Sequence, residues 1–170
     1  MPPHADDRPS PDDVRQIAVP SAARARTTLP RVDYEDAFLV EAAAASDLDG
    51  EGWARTVMEG APATTRHDLA RGWSALGLRL RPVGSDGSVL GWAIRRSTSD
   101  FVLLRAGGRL GITGELLFER RPDGLLFATF VSLDNPVARL IWARVGPRHR
   151  AVVRGLLQRG AAAATSNVAS

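Results

Sequence analysis

From Val89 to Leu133 hydrophobic residues fall at every second position in four short runs, and after Pro136 their spacing changes to three and four. The alternating runs, Val89–Arg96, Phe101–Ala106, Leu110–Arg120 and Leu125–Leu133, predict consecutive strands joined by tight turns, and the change of period predicts a helix. In Leu110–Arg120 one face carries Leu110, Ile112, Leu116 and Phe118, with a break at Gly114; the other carries Gly111, Thr113, Glu115, Leu117 and Glu119. Leu125, Phe127, Thr129, Val131 and Leu133 alternate with Leu126, Ala128, Phe130 and Ser132, so both faces of this strand are apolar and it belongs inside the sheet. Arg121-Pro122-Asp123-Gly124 has proline second and glycine fourth, which suits a type I hairpin turn. Glycines at 91, 111 and 114 are what a strongly bent sheet needs.

The final helix has its own start signal: Asn135 as cap, Pro136 at the first helical position. Val137, Leu140, Ile141 and Val145 share one face, Gly146-Pro147 predicts a kink or restart, and Val152, Val153, Leu156 and Leu157 resume the face. Before the sheet, Val32, Tyr34, Asp36, Phe38 and Val40 alternate along 31–43, whose second half suits a strand. Asp47 caps a predicted short helix through Glu59 carrying Leu48, Trp53, Val57 and Met58. Thr64 or Thr65 caps a second, with Leu69, Trp73 and Leu76 on one face and Gly77 at its end. Leu78–Arg81 is a further short strand candidate. Residues 1–30 carry Pro2, Pro3, Pro9, Pro11, Pro20 and Pro30 with few large apolar groups and read as a disordered tail; 160–170 read as a flexible one. The expected domain is 31–159.

Composition narrows the class. A chain of 170 residues, 44% hydrophobic, suits one domain. Its apolar runs are far below the roughly 20 residues that span a bilayer. The N-terminus lacks the basic-then-apolar order of a signal peptide, so the expected address is the cytoplasm. With no cysteine, disulfides, thiolate metal sites and a cysteine nucleophile are excluded. The pI of about 10.7 suggests a polyanion partner, but the net charge is only +3. All 22 basic side chains are arginine and there is one tyrosine, so almost nothing titrates between histidine and arginine; the high pI reflects missing buffering groups.

The order strand, two short helices, bent antiparallel meander and long C-terminal helix resembles the helix-grip fold of the START-like (SRPBCC) superfamily. The closest likeness is to a bacterial subgroup whose last helix begins like Asn135-Pro136-Val137-Ala138-Arg139 and continues like the stretch from Ile141 to Arg150. The resemblance implies an α+β fold in which a curved antiparallel sheet grips the C-terminal helix around a hydrophobic cavity. Such a fold usually has six or seven strands; the pattern here provides five and the candidate at Leu78–Arg81.

The resemblance implies binding of a lipid-like, aromatic or polyketide-like small molecule, and the alternative is a polyketide-cyclase- or dehydratase-like enzyme using the same cavity. The expected lining is Trp92, Ile94, Ile112, Phe118 and Phe127 from the sheet, with Val137, Ile141 and Trp142 from the helix. Acid–base chemistry would need a titratable group inside. Glu115 is one candidate, since burial would raise a carboxyl pKa, although the alternation turns it away from Ile112, Leu116 and Phe118 and into solvent. His67, early in the second helix, is the other. His149, between Arg148 and Arg150, reads as part of a solvated face. The three histidines lack ligand-like spacing, so no metal or cofactor is expected. No serine has a nucleophile-elbow context, and Gly107-Gly108-Arg109 reads as a hairpin turn. Arg139, Arg144, Arg148, Arg150, Arg154 and Arg159 form an exposed row more consistent with solvation than with nucleic acid or stable membrane insertion. Docking of a protein partner or a membrane through the tail or this row is a further alternative.

Overall fold

The computed structural model describes residues 14–42, 45 and 47–168. Its strands are β1 (Val14–Ile17), β2 (Tyr34–Glu41), β3 (Ser88–Val89), β4 (Trp92–Ser97), β5 (Phe101–Gly107), β6 (Ile112–Arg121) and β7 (Gly124–Leu133). Its helices are α1 (Ser21–Arg24), α2 (Gly50–Met58), α3 (Ala63–Ala75) and α4 (Pro136–Val168). The strands form one curved, open antiparallel sheet in the order β1-β2-β7-β6-β5-β4-β3, and the α+β class expected from the alternation is what forms.

The alternation also assigns the faces. Phe38, Val40, Ile112, Leu116, Phe118, Phe127 and Val131 join α2 and α4 in one core; Ala37, Leu103, Leu117, Leu126, Ala128 and Phe130 form a second core behind the sheet. With β2 and β6 on its edges and a core on each side, β7 is buried at all ten positions.

Three glycines shape the sheet for identifiable reasons. Gly124 follows the two-residue loop Pro122-Asp123 with φ 152°, and a side chain there would drive into the Val40 carbonyl. Gly114 leaves room for the Trp92 ring, which a Cβ would meet at 3.3 Å. Gly91 and Leu90, both with positive φ, make a two-residue turn between β3 and β4. The single strand expected over Val89–Arg96 is therefore divided there. Burial and a hydrogen bond from the Leu90 N–H to Glu59 Oε1 at 3.2 Å hold the left-handed leucine in place.

The N-terminal segment differs most from expectation. Residues 14–30 are not a disordered tail: β1 pairs with β2, and a strap through α1 lies over the back of the sheet with Ala23 and Leu29 buried. A few apolar groups suffice because the face beneath is already a continuous apolar surface. Residues 1–13 lie outside the described ones. At the other end α4 runs 33 residues, continuous through Pro147 without restarting and on past 160. Gly160 brings it close to α2, where a Cβ would stand 2.6 Å from Val57 Cγ2, and Ala161 and Ala164 are buried. The small residues serve tight helix packing there instead of a flexible tail.

Smaller shifts have local causes. Asp49, not Asp47, caps α2, accepting the Gly52 N–H at 2.7 Å. α3 follows Pro62 and begins at Ala63 without a side-chain cap from Thr64 or Thr65. Leu78 makes one isolated bridge to Gly108, so no strand forms over Leu78–Arg81. Asn135 caps α4 as expected, its Oδ1 accepting the Ala138 N–H at 2.8 Å. Among the described residues no helix is long and apolar enough to cross a membrane.

Candidate functional site

The sheet face that meets the helices is not packed solid. Val57 and Met58 of α2, Leu69 and Trp73 of α3, Leu116, Phe118 and Phe127 of the sheet, and His149, Val152 and Leu156 of α4 surround a mostly apolar hollow of about 60 Å³. At roughly 10–15 Å³ per water this has room for about four to six waters, well below the roughly 300–1,000 Å³ of an ordinary ligand pocket. Its wall is uneven in strength. Leu69 is the one fully buried residue among the thirteen of α3, whereas α2 buries five of nine.

Of the residues expected to line a cavity, Phe118 and Phe127 do, stacked edge to face with centroids 5.0 Å apart. Trp92 is buried beside the hollow, over Gly114 and edge-on to the lining Trp73 at 5.5 Å. Ile112 is buried elsewhere in the core, Ile94 and Ile141 are half-buried, and Trp142 is buried against Tyr34 at 5.1 Å. Val137 is 59% exposed, because the buried side of α4 runs through Ala138 and Trp142 and turns Val137 outward.

Neither acid–base candidate reaches the hollow. His67 is exposed on α3. Glu115 faces away from the helices, as the alternation indicates, but not into solvent. The strap covers it completely: its carboxylate accepts the Thr27 hydroxyl at 2.6 Å, the Thr28 N–H at 2.9 Å and the Thr28 hydroxyl, with the Arg105 guanidinium 3.6 Å away. It clamps the strap to the sheet.

A polar cluster does sit at the edge of the hollow, built from residues that the sequence patterns disguised. Asp36 is buried on β2 among the inward-facing Tyr34, Phe38 and Val40. Its Oδ2 accepts the Tyr34 hydroxyl at 2.7 Å and lies 3.2 Å from His149 Nε2, outside hydrogen-bond geometry. His149 packs edge-on to Tyr34 and tilted against Trp142, with centroids 6.1 and 5.3 Å apart. Register adds Thr129, which pairs with Asp36 on one side and with the cavity-lining Leu116 on the other. Asp36 Oδ1, Thr129 Oγ1, His149 Nε2 and Trp142 Nε1 are all buried without a hydrogen-bond partner in the protein. Unpartnered buried polar atoms are costly and uncommon, which sets this cluster apart from packing. Two sequence signals pointed to it. An aspartate occupies the apolar side of a strand, and His149 lies on the stripe of Trp142, Val145, Val152 and Leu156.

Burial, followed by the adjacent Asp36 carboxylate, raises the Tyr34 pKa well above that of a free phenol, opposed more weakly by Arg150. A raised folded-state pKa adds stability that is complete below the unfolded value of about 10 and is lost as pH climbs toward the folded one. Because Tyr34 is the one tyrosine, ultraviolet titration reads it alone. Tyrosinate absorbance should stay absent to about pH 11 and emerge with unfolding; ionisation near the ordinary value in a folded protein would contradict this packing.

The arginine row is partly engaged. Arg139 meets Asp33 at 3.2 Å, Arg154 donates to the Val14 carbonyl at 2.7 Å, and Arg159 donates to Thr65 at 3.1 Å. Among the described residues no group of three or more acidic or histidine side chains could hold a metal ion. No protein-family model, curated protein or solved structure matches this chain.

Proposed function

We propose that the protein is a helix-grip domain of the START-like kind that binds a hydrophobic small molecule between the sheet, α3 and α4. The observation that carries the reading is the apolar hollow lined by Leu116, Phe118 and Phe127 and closed on one side by a thinly anchored helix. As it stands the hollow takes only a very small molecule; a ring- or chain-sized ligand enters by displacing α3, which Pro62 and the left-handed Gly77 bound at either end. Burial then supplies affinity at about 0.8 kcal/mol per methylene. Seven strands, two helices after β2 and a long final helix support the helix-grip assignment. The cyclase or dehydratase alternative loses its expected acid–base residues, because Glu115 and His67 both lie outside the hollow.

Titration with the neutral fluorophore N-phenyl-1-naphthylamine tests the reading. Saturable single-site enhancement is expected, weakened at least about tenfold by Leu116→Phe, which fills the hollow at a stability cost of about 1–3 kcal/mol. Absence of saturable binding, or equal binding by the folded variant, would overturn it.

A further inference from the structure

We infer that Asp36, Thr129 and His149 form the polar end of this ligand site and select a molecule that carries a hydroxyl group on an apolar body. The inference rests on the proposed cavity and adds the chemistry of what enters it.

The three side chains come from three elements, β2, β7 and α4, and adjoin one another beside the hollow: His149 lines it, Asp36 lies 3.2 Å from His149, and Thr129 pairs with Asp36. Asp36 and Thr129 are 3% and 2% exposed, so ordinary solvation does not serve them. His149 joins the two regions, being a wall residue of the hollow and lying 3.2 Å from the Asp36 carboxylate. Thr129 stands in the sheet directly between Asp36 and the wall residue Leu116.

The atoms define what they can hold. Asp36 Oδ2 already accepts from Tyr34, so Oδ1 is the free acceptor and requires a donor. Thr129 Oγ1 can donate, and His149 Nε2 can donate when it carries the proton. A hydroxyl satisfies both demands at once, donating to Asp36 and accepting from Thr129 or His149. A ligand carboxylate offers no donor to Asp36. An ammonium could donate to Asp36 and to the Thr129 oxygen, but it would leave the Thr129 O–H and a protonated His149 Nε2 without an acceptor. The apolar remainder of the ligand would lie along Leu116, Phe118 and Leu156.

Phenol and toluene, nearly equal in shape, separate the polar end from the hollow. An apolar cavity with nothing polar in it prefers toluene, because phenol must give up its hydration. Titrations followed by methyl resonances of the folded protein should instead show phenol bound tighter by about tenfold, the worth of one hydrogen bond to a charged acceptor. Thr129→Val, which keeps shape and loses the hydroxyl, and Asp36→Asn should each reduce or reverse that preference. Toluene bound as tightly as phenol by the unaltered protein, or a phenol preference intact in both folded variants, would overturn the inference and leave the apolar site standing. If neither compound binds saturably, the cavity reading fails and this inference with it.

Discussion

Glu115→Ala is expected to lower the free energy of unfolding by about 1.5–3 kcal/mol, the range for losing hydrogen bonds to a charged acceptor. The carboxylate is wholly buried and is the common acceptor for Thr27, Thr28 and Arg105. Alanine would take the shared acceptor from the Thr28 N–H and from both hydroxyls, leaving the longer contacts of Thr27 with the Leu29 N–H and of Thr28 with Arg105 as the remaining side-chain ties. The loss should appear first as local release. Residues 21–30 would exchange their amide hydrogens well before the sheet does, since Glu115 is the buried polar tie of this stretch, while Arg26, 4.1 Å above the Phe101 ring and 3.4 Å from Glu119, and Arg24, 3.2 Å from Glu35, are partly exposed ones. Glu115→Gln, whose carbonyl can still accept, should cost roughly half as much. Chemical denaturation with hydrogen exchange checks both; a loss below about 1 kcal/mol for the alanine variant, or unchanged strap exchange, would refute the clamp.

Gly124→Ala is expected to be at least as damaging, for a backbone reason. At φ 152° any side chain is strained, at about 1–3 kcal/mol, and here the added Cβ would also collide with the Val40 carbonyl of the neighbouring strand. The turn cannot retreat, because the Asp123 carbonyl accepts the Ala42 N–H at 2.8 Å while Glu41 pairs with Gly124. Relief would require β2 to part from β7, and with it the placement of Asp36 opposite Thr129. A loss of about 3 kcal/mol or more is expected in thermal or denaturant unfolding, with weakened protection along β2. A variant within about 0.5 kcal/mol of the unaltered protein would mean that this close approach does not exist.

How far the molecule could be read in advance depended on whether its signals were local. Strict alternation in Leu110–Arg120 and Leu125–Leu133 identified β6, β7 and both of their faces, because a period of two leaves one way to bury Ile112, Leu116 and Phe118 together. The cap at Asn135 was equally local. The strap was not. Ala23 is small and Leu29 stands next to Pro30 outside any periodic run, and their burial depends on an apolar back face built largely from strands far later in the chain. The alternation puts Glu115 on the correct face but cannot show its cover, since nothing near it in sequence reveals that residues 27 and 28 lie over it. Phe118 and Phe127 were legible as lining, whereas Val137 and Trp142 depended on the rotation of α4, which a simple helical stripe does not determine. The Asp36–His149 approach joins residues 113 apart. Charged neighbours at 148 and 150 concealed a histidine lying on the helix's apolar stripe.

Intermolecular nuclear Overhauser contacts between toluene and a methyl-labelled sample measure most directly whether the space between sheet, α3 and α4 admits a hydrophobic molecule. The account predicts contacts to the methyls of Leu69, Leu116 and Leu156, together with saturable shifts of those resonances. Toluene contacts confined to other surfaces, or none while these three methyls remain unshifted, would contradict it.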